Sequence, residues 1–184
     1  SVLAQTCRPL DIIVVDDGST DATREVVGNF GSSVRYVRQP NAGKLSAIAT
    51  GLDHAGGELI WVMDDDDIAP PDALCALALP FADNADLVMS YGRMTRFSGS
   101  GATMRETLVD YPVDQRPFFI RLMEECFITG HPCVMVRKDA INAFRPFDTA
   151  IFASVDYFLH LNVALQGPVA SVAAVVLRQL QHGG

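Results

Sequence analysis

Two apolar, β-branched runs that lead straight into acid constrain this chain more than any other feature. Ile12-Ile13-Val14-Val15 is closed by Asp16-Asp17-Gly18, and Leu59 to Met63 is closed by Asp64-Asp65-Asp66-Asp67. Short runs of this kind suit strands buried on both faces, which is the habit of sheets covered by helices. Between them, Ala22, Val26, Val27 and Phe30 recur at helical spacing, Val34 to Val37 forms another short strand, and Leu45, Ile48, Ala49 and Leu52 make a second helical stripe ended by Gly56-Gly57. Pro70-Pro71 opens a further helix, because proline is tolerated in a first turn. The first half therefore predicts βαβαβα.

That alternation implies an α/β fold with a mainly parallel sheet flanked by helices, where ligands bind outside the carboxyl ends of the strands. Both acidic clusters belong to such ends. Further on, the pattern predicts a strand over Leu87 to Phe97, a mobile Ser98-Gly99-Ser100-Gly101 loop and a helix over Pro117 to Glu125. A strand at Cys133 to Val136, helices near Asp139 to Phe144 and Ser154 to Leu165, and a last strand from Val169 to Leu180 complete the reading. The 184 residues suit a single domain spanning 1–184.

A net charge of −8 without a basic stripe argues against a nucleic-acid partner. No apolar run is long enough to span a membrane. Cys7, Cys75, Cys126 and Cys133 show no paired spacing, and are expected to be reduced, mostly buried thiols in a cytoplasmic protein.

Four consecutive carboxylates repel one another and raise each other's pKa unless a cation offsets them. Mg²⁺ and Mn²⁺ take oxygen ligands and commonly rely on one or two carboxylates, with substrate phosphates completing the shell. The alternative for the run is a solvated acidic turn. The Asp16 to Asp21 turn puts a second acidic group on the same edge, although Asp and Ser also favour turns and caps for structural reasons alone.

Taken together, Ser1 to Thr6, Asp11 to Asp21, Asn41-Ala42-Gly43, Gly56-Gly57-Glu58 and Asp64 to Asp67 resemble, in order and spacing, the family 2 glycosyltransferases. The resemblance implies the GT-A fold and an inverting transfer from a nucleotide-diphosphate sugar, a UDP-sugar first of all, to a glycan or lipid-linked acceptor. It further implies bacterial polysaccharide or glycoconjugate synthesis, a divalent cation (Mn or Mg), and work at the inner face of the membrane with peripheral association. A homodimer is compatible with it.

By position, Asp17 resembles the family's nucleobase contact, Asp65 and Asp64 the contacts near the ribose, and Asp66 the metal ligand. Asp67 reads as a loop-stabilising residue. Lys44 either faces phosphate or is a surface lysine at a helix start. His182 either resembles the histidine that closes the family's catalytic domain and approaches the phosphates and metal, or belongs to a frayed C-terminus. The segment Phe152 to Phe158 resembles the family's Glu-Asp site, with Val155 in place of the first acid and Asp156 retained as the general base. His131 is either an acceptor-side contact or a structural histidine, and His54 and His160 read as helix-surface residues.

The family's opening strand, which would lie beside Asp11 to Val15, is absent from the sequence, so the domain is expected to be N-terminally incomplete, or to receive that strand from another copy. Two rival readings compete with a working transferase: a degenerate nucleotide-sugar-binding domain without turnover, and a receiver-like, metal-binding phosphoacceptor domain.

Overall fold

The computed structural model describes residues 1–98, 104–109, 118–125, 127–128, 130–148, 150–151 and 153–180. Strand β1 (Ile13–Asp17) is followed by α1 (Thr23–Gly28), β2 (Arg35–Gln39), α2 (Lys44–His54), β3 (Leu59–Trp61), the two-residue β4 (Asp67–Ile68) and α3 (Ala73–Asp83). Then come β5 (Met89–Ser98), β6 (Arg105–Val109), α4 (Phe118–Glu124), β7 (Val134–Arg137), α5 (Lys138–Asn142), α6 (Val155–Ala164) and β8 (Val169–Leu180). The expected Gly-Ser loop falls largely outside the described residues.

The α/β class holds, and the parallel character of the sheet needs correcting. Strands β1 and β2 pair in parallel as a sheet of their own, while β3-β7-β5-β8-β4 form a second sheet with β6 added beside β5. Among the described residues of that larger sheet only β5 and β8 run parallel; β3–β7, β5–β7, β4–β8 and β5–β6 are antiparallel. An apolar run buried on both faces carries no sign of its direction, so periodicity could not show β7 entering antiparallel between β3 and β5. On its side away from β2, β1 has no ladder partner among the described residues.

Helix α2 buries Leu45, Ile48 and Leu52, spaced by three and four positions so that they fall on one face. Its Gly51 faces β1, where a Cβ would make an ordinary contact 3.6 Å from the Val15 side chain. Helix α3 buries Ala73, Leu77 and Phe81 in the same way and packs across β8 and β5. In those two strands Met89, Met94, Val176 and Leu177 are completely buried. Burying a side chain of this size stabilises the fold by about 1.5–3 kcal/mol relative to leaving it in water. The core thus fixes β3 and α3, and with them the acid run that lies between.

The β5–β8 ladder changes register across Gly92, between Tyr91 and Arg93, and again between Arg93 and Met94. A Cβ on Gly92 would come within 2.6 and 2.8 Å of the two Val176 methyl groups and 3.1 Å of the Ala174 carbonyl. Glycine is needed here for space. Gly92→Ala is therefore expected to destabilise the fold by about 1–3 kcal/mol, the usual cost of overpacking. Urea unfolding followed by circular dichroism checks this, and an unmoved midpoint would contradict it.

Candidate active site

At the carboxyl end of β1 the two aspartates have separate partners. Asp16 is buried, and its Oδ1 accepts a hydrogen bond from the Ser19 amide at 2.6 Å. Its Oδ2 accepts a short hydrogen bond from the Tyr36 hydroxyl and faces the Arg38 guanidinium at 3.9 Å. The Tyr36 hydroxyl above all, then the Ser19 amide, hold its carboxyl down to about 2, from 3.8. Asp16 thus anchors the turn between β1 and α1.

Asp17 points to the neighbouring loop. Its Oδ1 accepts from Gln39 Nε2 at 2.7 Å and from the Ala42 amide at 2.9 Å, and its Oδ2 accepts from the Gly43 amide at 2.8 Å. Gly43 has φ of 88°, a left-handed conformation that glycine adopts without penalty. Gly18, at φ 87°, lies so close that a Cβ would stand 2.9 Å from the Asn41 nitrogen. Two glycines and one carboxylate therefore lock the β1 and β2 loops together, which places Lys44 at the start of α2.

Lys44 reaches the acid run. Its Nζ lies 2.7 Å from Asp64 Oδ1, in an ion pair that is only partly exposed. Asp65 and Asp66 are exposed, whereas Asp64 and Asp67 are half-buried. Burial pushes the Asp67 carboxyl up to about 6 from 3.8, and the negative charges of Asp66, Asp64 and Asp65 add to that, with Lys44 opposing. Asp67 Oδ1 is buried without a hydrogen-bond partner among the described residues. A carboxylate oxygen in that position favours either a proton or a cation. Among the described residues no three His, Cys, Asp or Glu side chains converge as a complete metal site. An ion that takes one or two carboxylates and draws its other ligands from phosphate and water needs no such convergence.

Asp156 occupies the first turn of α6 and is half-buried. Ser154, just before the helix, has φ of 53°, a left-handed conformation in a residue other than glycine. Such backbone is costly for a side chain with a Cβ and concentrates at functional sites. One turn after Asp156 lies His160, which is buried, and this corrects the expectation of a surface histidine. It falls beside Leu159 and Val163 on the face that α6 turns inward, so the sequence pattern misplaced it by one position on the helical wheel. His131 is buried as well, with its ring edge-on to that of His160 at 5.4 Å.

Burial pushes both imidazoles down to about 3 from 6.5. The Lys44 charge lowers both further, and the Asp156 carboxylate acts in the opposite sense on His160. Lys44, the histidine pair and Asp156 are therefore electrostatic neighbours, which brings the acid run and the start of α6 around one region. His131 Nε2 and His160 Nδ1 have no hydrogen-bond partner among the described residues. A cavity of ≈ 10 Å³ that both histidines line, together with Ile60, Val62 and Val134, has room for one water. His182 and Phe152 lie outside the described residues.

The sign of the pH dependence follows from these values. A histidine whose folded pKa is below its unfolded one binds fewer protons when folded, so its contribution is complete above pH 6.5 and is lost as the pH falls toward 3. Asp67 acts the other way between 6 and 3.8, because the folded chain takes up that proton first. Replacing His160 by Gln is expected to flatten the loss of stability between pH 6.5 and about 4 by ~1.4 kcal/mol per pH unit. Denaturant midpoints across that range measure it, and an unchanged slope would show that His160 is not held neutral.

Comparisons with known proteins identify the family. The family model described as "Glycosyl transferase family 2" matches residues 1–144. A chondroitin synthase of Escherichia coli is 26% identical over 186 residues, covering 100% of this chain and 26% of its own length. A hyaluronan synthase of Pasteurella multocida is also 26% identical, with 100% of this chain and 18% of its own length covered. The chain thus spans about a quarter or less of these relatives. Among solved structures, S. aureus TarS 1-349 in complex with UDP superimposes with a TM-score of 0.73 at 19% identity, over 98% of this chain and 54% of that one. The chain belongs to glycosyltransferase family 2 and has the GT-A fold.

Proposed function

We propose that this chain is the donor-binding and catalytic part of an inverting glycosyltransferase that moves a sugar from a UDP-sugar to a hydroxyl of a glycan or lipid-linked acceptor. The observation that carries this reading is the 2.7 Å ion pair between Lys44 and Asp64 at the mouth of the acid run. It puts a cationic donor and a row of carboxylates side by side at the carboxyl ends of β1 to β3, the chemistry that a diphosphate with its counter-ion requires. Family membership and polysaccharide-building relatives support transfer to a growing glycan, and the UDP complex of TarS supports the choice of nucleotide.

In this reading Asp17 holds the Asn41–Gly43 loop as the wall of the nucleobase pocket, and it offers a carboxylate edge to a base N–H. Asp64 and Asp65 receive ribose hydroxyls, and Lys44 turns from Asp64 to the phosphates as they arrive. The residues fit a divalent cation: Asp66 is exposed at the centre of the run, and the unpartnered Asp67 oxygen lies beside it. Asp66 would hold the ion, with His182 as a further ligand. Bound there, Mn²⁺ or Mg²⁺ supplies Lewis-acid neutralisation of the departing diphosphate.

Asp156 removes the proton from the acceptor hydroxyl as that oxygen attacks the anomeric carbon from the face opposite the leaving group, which inverts the configuration. Its neighbour His160 is held neutral, so it does not draw the carboxylate into an ion pair at neutral pH. The nucleotide-sugar substrate places this work on the cytoplasmic side of the membrane, with the acceptor bringing the domain to the inner face. Among the described residues no helix is long and apolar enough to cross a membrane.

Asp156→Asn is expected to lower turnover by roughly 10²–10⁴-fold, the usual share of a general base, while UDP affinity stays within about twofold. Steady-state kinetics with a panel of UDP-sugars and calorimetry with UDP test this together. Unchanged turnover would remove Asp156 from the reaction, and no turnover by the wild-type chain with any donor and acceptor would favour a binding domain without activity.

A further inference from the structure

Cys7 and Cys75 are joined by a disulfide, which corrects the expectation that these thiols are reduced. They are 68 residues apart in sequence, so no spacing rule pairs them. The fold brings them together by laying the segment that precedes β1 across the start of α3.

That segment replaces the missing cap of α3. Asp72, at the N-cap, makes no side-chain capping bond, and the first-turn amides of a helix have no partner within it. The buried side chain of Gln5 supplies one from far away in sequence: its Oε1 accepts from the Leu74 amide at 2.8 Å, and its Nε2 donates to the Pro70 carbonyl at 2.7 Å. The Thr6 amide donates to the Pro71 carbonyl at 2.9 Å and its hydroxyl donates to Asp72 Oδ1 at 2.8 Å. The disulfide then follows directly.

The loop it closes contains β1, β2, β3, Asp17, Lys44 and the acid run, and the run passes through β4 and buried Ala69 straight into the clamped Pro70-Pro71. Cys7 is exposed and Cys75 half-buried, so a soluble thiol can reach the bond.

We propose that Cys7 and Cys75 form a reversible thiol–disulfide switch that orders the first turn of α3 and, through it, the acid run. In closing it, the two thiols give up two electrons and two protons as the Sγ–Sγ bond forms. A small-molecule disulfide accepts them, its own S–S bond breaking to two thiols. In a reducing cytoplasm the pair stands open, and an oxidising shift closes it. Closure removes conformational freedom from a long loop of the unfolded chain, and it keeps the Gln5 and Thr6 bonds in place at the helix start. The effect on nucleotide binding rests on the function proposed above, whereas the effect on α3 does not.

The test compares the chain equilibrated with oxidised glutathione, the same chain reduced with dithiothreitol, and a Cys7→Ser/Cys75→Ser variant that cannot close. Amide hydrogen exchange over residues 67–76 is read in each, alongside calorimetry with UDP and Mn²⁺. Reduction is expected to speed exchange in that stretch by roughly tenfold or more, to the level of the double variant, which itself does not respond to dithiothreitol. UDP affinity is expected to fall by about threefold or more in the open forms. Equal exchange in the oxidised and reduced chains, or peptide mapping that shows both cysteines alkylated without reductant, would overturn the switch. Equal UDP affinity beside unequal exchange would overturn its coupling to the acid run. UDP binding to none of the three would overturn that coupling and count against the donor reading, while the exchange data still decide the switch at α3.

Discussion

Mutual repulsion among four consecutive carboxylates is the constraint on which the rest of this structure depends. Asp64 to Asp67 follow the end of the half-buried β3 together, and burial with three neighbouring charges lifts the Asp67 carboxyl to about 6. A chain does not keep such a cluster for stability, because a short polar turn would cost less. The surrounding fold answers it in part. Lys44 pairs with Asp64, and Lys44 is in place only because Asp17 and two left-handed glycines hold the loop before α2. The remaining negative charge is what a divalent ion and a diphosphate would complete. The charge balance of the run thus depends on the loops that set Lys44 at the start of α2, and it carries the chemistry proposed for the site.

The part of the fold that could be read from sequence is the part in which local pattern and final environment agree. Strands β1 and β3 form where their apolar runs predict them, although they are half-buried rather than covered on both faces, and Leu45, Ile48 and Leu52 fall on one face of α2, as their spacing requires. What could not be read depends on partners distant in the chain. Strand β4 is two residues long and exists only because β8 pairs with it, and β6 is an exposed polar segment held by its ladder to β5. Strand direction in the larger sheet is likewise set by topology and leaves no periodic trace.

The site shows the same division. Adjacent acids at strand ends, and a lysine opening a helix after a glycine, are visible in the sequence. Their division of labour is not: Asp16 and Asp17 look equivalent, yet one anchors its own turn and the other a loop some 25 residues later. His160 looked like a surface residue because the inward face of α6 is wider than its apolar stripe, and the disulfide was hidden by a separation of 68 residues. Both lie where distant segments converge, the histidine pair between the acid run and Asp156 and the disulfide at the helix that the run leads into.

The central claim is that the acid run binds a nucleoside diphosphate through a divalent cation. Calorimetric titration of UDP into the wild-type chain, once with Mn²⁺ and once with the ion removed by a chelator, tests it most directly. The account predicts saturable binding with Mn²⁺ and an affinity at least about tenfold weaker without it, a difference of ~1.4 kcal/mol. Equal affinity in the two titrations, or binding in neither, would contradict it.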